Sequence, residues 1–88
     1  MLKLLRTSQF EKDLIKSLKR GCDIDKLQDI TIKLVHQEKL PAKNRDHKLR
    51  GNFKNRRECH IEPDWLLIYK VESDTLILER TGTHSDLF

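Results

Sequence analysis

Three histidines stand in the part of the sequence where strands and loops are expected, at His47, His60 and His84. The unperturbed pKa of histidine is about 6.5, so this side chain can both accept and donate a proton near neutral pH. The densest positive charge of the chain surrounds the first of the three. Proton-transfer groups beside a surface that attracts phosphate predict cleavage of a nucleic-acid backbone.

The positive charge is concentrated in one stretch, Lys43 to Arg57, which we call the basic segment. It contains seven basic residues and only Asp46 as an acid, whereas residues 58–88 contain two basic and seven acidic residues. Such clustering is typical of a surface that binds phosphates, although a solvated basic loop would have the same composition. The neighbouring histidines favour the binding surface.

RNA suits this set of residues better than DNA. The ribose 2′-hydroxyl is a built-in nucleophile, so cleavage needs a base, an acid and cationic stabilisation, and we expect no metal and no cofactor. DNA hydrolysis usually relies on metal-bound water and carboxylate clusters, which this sequence lacks, and the histidine spacing matches no zinc motif. The residues expected to contact RNA are Lys43, Arg45, Lys48, Arg50, Lys54, Arg56 and Arg57 of the basic segment, with Glu58 and Phe88.

His60 alternates with Arg56 and Glu58 along a predicted strand, so the three side chains share one face. Burying three ionisable groups together would be costly, and an open cleft is therefore expected there. Asp64 follows a proline turn, where it can orient His60 or serve as an ordinary turn residue.

Two further candidates lie near the end of the chain. Arg80 can stabilise a pentacoordinate phosphorane through its guanidinium, or form a structural ion pair with Glu58 or Glu79. Phe88 can stack on a base or pack against the sheet edge.

The first half of the chain predicts a strand and a helical hairpin. Leu2 to Arg6 is expected to form an edge strand, and Ser8 and Glu11 match a capping box for a helix from Gln9 to Gly21. A second helix capped by Asp23 or Asp25 is expected to run to about Glu38. The inner faces are expected to carry Phe10, Leu14 and Leu18 on the first helix, and Ile24, Leu27, Ile30 or Thr31, and Leu34 on the second.

The second half predicts an antiparallel meander. Asn44 to Asn52 reads as a basic loop that Leu49 anchors in the core, and three strands follow over Lys54–Ile61, Trp65–Val71 and Thr75–Thr81. We therefore predict one α+β domain over residues 1–88, in which an N-terminal strand and a two-helix hairpin pack on a small antiparallel β-sheet.

The composition excludes several classes of protein. With 88 residues the chain is expected to form a single small domain. Cys22 and Cys59 have neither zinc nor disulfide spacing, and no apolar run suits a membrane span or a signal peptide. These features predict a cytoplasmic protein that does not associate with membranes, with two inert thiols.

The motifs resemble the YafQ branch of the RelE/ParE toxin superfamily. The matching residues are Asp46-His47, Leu49, Gly51, the run from His60 to Lys70 that contains His-x-Glu-Pro-Asp-Trp, the run Glu79 to His84 that ends in Thr-Gly-Thr-His, and Leu87-Phe88. Over the two helices the resemblance holds only in outline.

This resemblance implies a RelE-like fold and a ribonuclease toxin of a type II toxin–antitoxin system. Such toxins cut messenger RNA on the ribosome and are neutralised by a cognate antitoxin, so operator DNA is expected only through the antitoxin complex. The family's catalytic positions fall on His47, His60, Asp64 and His84, with Arg80 and Phe88 assisting. Glu58 stands where YafQ members carry an aspartate.

Our hypothesis is that His60, oriented by Asp64, deprotonates the 2′-hydroxyl and that His84 protonates the leaving oxygen. Two alternatives remain open at this point. A toxin of the ParE type would inhibit DNA gyrase without cutting nucleic acid, and would not need converging histidines. A basic RNA-binding module would bind RNA and leave it intact.

Overall fold

The computed structural model describes all 88 residues and has an α+β architecture. Its strands and helices are β1 Lys3–Arg6, α1 Ser8–Lys19, α2 Ile24–Val35, β2 His47–Lys48, β3 Arg57–Glu62, β4 Trp65–Glu72, β5 Thr75–Gly82 and α3 His84–Leu87. Two short 3₁₀ turns, Ala42–Asn44 and Gly51–Phe53, flank β2. The predicted fold class is confirmed, and α3 was not predicted.

The five strands form one sheet in the order β1-β5-β4-β3-β2. Strands β3 to β5 pair antiparallel, as the predicted meander requires, and β2, which lies in the segment expected to be a loop, also pairs antiparallel with β3. By contrast, β1 pairs parallel to β5, with Lys3 opposite Thr75. The expectation of a wholly antiparallel sheet is therefore wrong at this edge. No tight turn links β1 to β5, so their relative direction is not limited by a hairpin.

Helix α1 begins one residue earlier than the sequence predicts. Thr7 is its N-cap and accepts a hydrogen bond from the Phe10 amide at 3.0 Å, while its own hydroxyl donates to the Glu79 carbonyl at 2.9 Å.

The inner face of α1 differs from the prediction. Leu18 was expected inside but is 42% exposed, and the inner face carries Asp13 and Ser17 instead. The buried Asp13 is possible because its carboxylate is paired with an arginine of the sheet.

Helix α2 is capped by Asp23, one of the two predicted candidates. It ends at Val35 rather than near Glu38, and Gln37 then takes a left-handed conformation with a φ of 58°. Leu27, Ile30 and Leu34 are buried as predicted.

The main core lies between the helical hairpin and one face of the sheet, and it includes Phe10, Trp65 and Leu67. A smaller apolar cluster of Leu66, Ile68 and Leu87 forms separately from it, with Leu49 and Phe53 packed against it. Leu49 is thus an anchor, but for this second cluster. No helix of the protein is long and apolar enough to cross a membrane.

Candidate active site

The pairing of β2 with β3 brings the first two histidines together. His47 lies opposite Glu58 in the register, and His60 follows two residues along on the same face of β3, while Cys59 points into the core. Glu58 is only 5% exposed, and its Oε1 lies 3.6 Å from Nε2 of His47 and 3.7 Å from Nε2 of His60. A buried carboxylate thus stands between two imidazole rings.

Backbone carbonyls fix the orientation of both rings. Nδ1 of His47 lies 2.6 Å from the Arg45 carbonyl oxygen, and Nδ1 of His60 lies 3.2 Å from the Pro63 carbonyl oxygen. A carbonyl can only accept a hydrogen bond, so we assign the ring proton to Nδ1 in each case. Nε2 is then the atom through which each ring can exchange a proton.

The third histidine is placed by Asp64, at the turn between β3 and β4. Asp64 Oδ1 accepts from the His84 backbone amide at 2.9 Å and from its Nδ1 at 2.6 Å. The hydrogen bond from this amide is the main reason that the pKa of Asp64 is below its ordinary value. Asp64 therefore orients His84, and the expected pairing with His60 is wrong.

His60 and His84 are neighbours, with ring centroids 5.6 Å apart. The chain leaves β5 at Gly82, and α3 then lies over the β3–β4 turn. This course places the His84 ring beside both His60 and Asp64. His47, His60 and His84 form a continuous set that we call the histidine row. The sequence-based expectation that strands and loops bring them to one site agrees with this arrangement.

Helix α3, which begins with His84, is joined to α1 through Asp86. This carboxylate accepts from Arg20 at 2.6 and 3.2 Å, from Lys16 at 3.2 Å and from the Thr83 amide at 2.9 Å. The Arg20 guanidinium is the main cause of the lowered pKa of Asp86. This joint was not predicted from the sequence, although Thr83 and Asp86 match a capping box.

Gly82 makes this joint sterically possible. Its φ is 154°, and a Cβ added there would lie 2.8 Å from Oδ2 of Asp86. A side chain at this position would therefore push Asp86 out of its place, and glycine is required.

Arg80 forms an ion pair with a carboxylate of α1. Its Nε and Nη2 donate to Asp13 at 2.7 and 3.3 Å, and Asp13 also accepts from the Thr81 amide at 3.2 Å. The Asp13 carboxylate raises the pKa of Arg80. An ion pair was one expected role of Arg80, but the partner is neither Glu58 nor Glu79, and the pair ties α1 to β5.

The basic segment divides into paired and unpaired cations. Arg56 pairs with Glu79, and Arg57 donates to Asp46 at 3.2 Å. Asp46 also accepts from the Tyr69 hydroxyl at 2.6 Å, which holds the residue before His47 against the sheet. The exposed cations without an ion pair are Lys43, Arg45, Lys48, Arg50 and Lys54. These five supply the positive field beside His47.

Two other side chains border the site. Phe88 is 63% exposed and meets Phe53 edge-on, with ring centroids 5.5 Å apart. Asn44, which the sequence analysis did not identify, is 5% exposed and donates to the His60 carbonyl at 2.7 Å. A buried amide that holds the backbone of His60 has no distinctive sequence signal.

The remaining candidates have simpler roles. Burial raises the pKa of the Cys59 thiol to about 12, so it is not a reactive thiolate at neutral pH. No group of three or more histidine, cysteine, aspartate or glutamate side chains is arranged to hold a metal ion.

Comparison with known proteins places this geometry in context. The sequence family described as the bacterial toxin of type II toxin–antitoxin systems, YafQ, matches residues 2–88. The mRNA interferase toxin YafQ of Escherichia coli K12 is 43% identical over 83 residues, which are 93% of this chain and 90% of that protein.

Solved structures agree with the sequence match. A copper-bound mutant toxin from Helicobacter pylori is 45% identical, with a TM-score of 0.96 over 100% of both chains. A YafQ toxin in the DinJ–YafQ complex of E. coli is 40% identical, with a TM-score of 0.91 over 100% of this chain and 99% of that one. The likeness therefore includes the segments that carry the three histidines.

Proposed function

Because this chain belongs to the YafQ family of type II toxin–antitoxin toxins and is an endoribonuclease of the mRNA-interferase class, we propose that the histidine row cleaves messenger RNA by general acid–base catalysis. The 2′-oxygen attacks the adjacent phosphorus while the bond from phosphorus to the 5′-oxygen breaks. One proton leaves the 2′-hydroxyl and another reaches the 5′-oxygen. The products are a 2′,3′-cyclic phosphate and a 5′-hydroxyl end.

His60 is the proposed base. Its Nδ1 faces the Pro63 carbonyl at 3.2 Å, so the lone pair of Nε2 can accept the 2′-hydroxyl proton. The imidazolium that forms then faces Oε1 of Glu58, 3.7 Å away. The buried carboxylate compensates this new charge, which gives Glu58 a role in the proton transfer rather than in RNA binding.

His84 is the proposed acid. Asp64 accepts from its Nδ1 at 2.6 Å and compensates the charge of the protonated ring, leaving Nε2–H to protonate the leaving oxygen. The distance of 5.6 Å between the His60 and His84 ring centroids is the observation that carries the assignment. Two imidazoles at this spacing can act on the two oxygens of a single phosphate.

Charge on the phosphorane is stabilised, in this proposal, by His47 and the unpaired cations of the basic segment. His47 lies next to the same carboxylate as His60, and Lys48 follows it on β2. Arg80 contributes to activity by stabilising the fold, because its guanidinium is paired with Asp13 and ties α1 to β5. Phe88 is suitably exposed to stack on a base of the bound strand.

The family match supports a proposal for the biological setting. We propose that the chain acts on ribosome-bound mRNA in the cytoplasm and is neutralised by a cognate antitoxin, as the DinJ–YafQ complex suggests. A partly disordered acidic antitoxin segment would complement the basic surface. Operator DNA is contacted only through the antitoxin.

The experiment that tests this function maps mRNA cleavage by primer extension in a translation extract, with His84→Ala as the control. We expect in-frame cuts that leave cyclic phosphate ends and disappear in the variant. A message with 2′-deoxy residues at the cut positions should stay intact. Growth arrest with intact message would contradict the proposal and direct attention to a gyrase supercoiling assay, while RNA binding without any cleavage would indicate a non-catalytic module.

A further inference from the structure

A groove of about 500 Å³ lies beside His60, between α2, the 3₁₀ turn Ala42–Asn44 and the turn that follows β3. Only two of its eleven lining residues are hydrophobic, so the groove is unsuited to an apolar ligand. We call it the α2 groove. All four of its lysine and arginine side chains come from outside β3, the strand that carries the proposed base.

The charge of the α2 groove is mainly positive. Its charged lining residues are Lys26, Lys33, Lys43, Arg45, Asp29 and Glu62, apart from the histidine. Lys26 donates to Glu62 at 2.7 Å, so these two charges compensate each other. Lys33, Lys43 and Arg45 form no ion pair in the structure. Against these three cations stands one unpaired carboxylate, Asp29, so the groove keeps a net charge of +2 (three positive and one negative) and attracts a polyanion.

The α2 groove is fixed relative to the histidine row by hydrogen bonds. Asn44, part of its lining, donates to the His60 carbonyl at 2.7 Å and is almost fully buried. The carbonyl of Arg45, another lining residue, accepts from Nδ1 of His47 at 2.6 Å. His60 itself forms part of the lining. The groove therefore borders His60, and a strand bound in it could extend towards a phosphate at that residue.

We infer that the α2 groove binds the phosphate backbone of single-stranded RNA next to the cleaved bond, with Lys33 and Lys43 as phosphate contacts. This inference rests on the function proposed above, since a strand whose reactive phosphate sits at His60 must continue beyond the site. Lys33 lies on α2, outside the basic segment, so this assignment extends the RNA surface onto the helical hairpin. A strand of ribosomal RNA has the same chemistry as a strand of message.

The test measures binding of a 2′-O-methyl RNA oligonucleotide, which lacks the nucleophile and cannot be cleaved. The variants are Lys33→Gln, Lys43→Gln and the double substitution. The matched control is Lys12→Gln, an exposed residue of α1 that has no ion pair and loses the same charge. We expect the double variant to bind about tenfold more weakly, with the slope of log K against log salt reduced by roughly 0.7 per lost contact.

Several outcomes separate the possibilities. Binding by the double variant that equals that of the Lys12 control would overturn the inference. Weaker binding of the free oligonucleotide supports a site for the message, whereas weaker binding to ribosomes alone would assign the groove to ribosomal RNA and overturn its place next to the cleaved bond. Loss of binding to an acidic antitoxin peptide with unchanged RNA binding would count against it.

A second measurement needs no substitution. Adding the 2′-O-methyl oligonucleotide to the isotopically labelled wild-type protein should shift the amide signals of Lys33, Lys43 and Arg45, and leave α1 signals near Lys12 unchanged. Failure of these shifts would again refute the groove. Neither measurement involves cleavage. If RNA binds in the groove but is never cut, the inference about the groove is supported and only the proposed catalysis is refuted.

Discussion

Asp64 accepts two hydrogen bonds from His84, one from its backbone amide at 2.9 Å and one from Nδ1 of its ring at 2.6 Å. A single carboxylate oxygen therefore holds both the first turn of α3 and the orientation of the proposed acid. The two residues are 20 positions apart in the sequence. The two neighbouring histidines therefore differ in their partners: Nδ1 of His84 faces a carboxylate, whereas Nδ1 of His60 faces the Pro63 carbonyl.

Asp64→Asn should leave the fold intact and reduce cleavage. The amide cannot compensate the charge of a protonated His84, and it can present an N–H group to the ring instead of an acceptor. We expect kcat to fall about 10- to 100-fold with KM nearly unchanged, measured on a single-site RNA or on programmed ribosomes. An unchanged kcat would remove Asp64 from the mechanism.

Glu58→Gln should test the carboxylate between His47 and His60. The substitution keeps the size of the side chain but removes the charge that compensates a protonated His60. We expect kcat to fall about tenfold or more and the alkaline and acid limbs of its pH profile to move. Binding of a 2′-O-methyl RNA should persist, and loss of binding with normal kcat would instead support a role in RNA contact.

Asp86→Asn should uncouple α3 from α1. Because the Arg20 contact lowers the pKa of Asp86 in the folded protein, its stabilising effect is present above the ordinary aspartate value of about 3.9 and is lost as the pH falls towards the lower folded value. The variant should therefore melt at a lower temperature than the wild type at pH 7, and the difference should shrink below about pH 4.

A positioning role for Asp86 makes a further prediction about the histidine. The NMR signals of the His84 ring should broaden or shift in Asp86→Asn, and kcat should fall while KM stays constant. Of two substitutions of its partner, Arg20→Lys should preserve the His84 ring signals and kcat better than Arg20→Gln, because lysine keeps the positive charge. A lower melting temperature with unaltered His84 signals would mean that the joint is only structural.

Asp13→Asn should distinguish a structural from a catalytic role of Arg80. Removing the carboxylate leaves a partly buried guanidinium unpaired, and we expect the free energy of unfolding to fall by about 2 kcal/mol. Cleavage at a temperature where the variant is fully folded should remain normal. A large loss of kcat in the folded variant would bring Arg80 back into the chemistry.

Local patterns were enough to predict much of this fold. Period-two and period-3.6 hydrophobicity, turn residues and caps indicated both helices and the strands of the meander. Asp23 as a cap, and Gly21 as the end of α1, follow from short-range stereochemistry. The start of α1 was shifted by one residue because Thr7, unlike Ser8, is also tied to β5 through Glu79.

The parts of the site that escaped prediction depend on tertiary contacts. The partner of Asp64 depends on where α3 lies, and this short helix has no hydrophobic period of its own. Arg80 has several carboxylates within sequence reach, and only the packing of α1 against β5 selects Asp13. Lys33 and Lys43 line one groove because α2 and the 3₁₀ turn Ala42–Asn44 both pack against β3, an arrangement that no local pattern encodes.

The joint between Arg20 and Asp86 spans 66 positions of the chain. Closing so long a loop is entropically costly, and the contact can form only when α1 has docked on the sheet. Asp64 holds His84 across 20 positions, but the helix that begins with His84 is tied to α1 only when this long-range contact exists. The position of α3 is therefore coupled to the docking of the N-terminal helix, and we expect the proposed acid to be fully oriented only in chains in which α1 has docked.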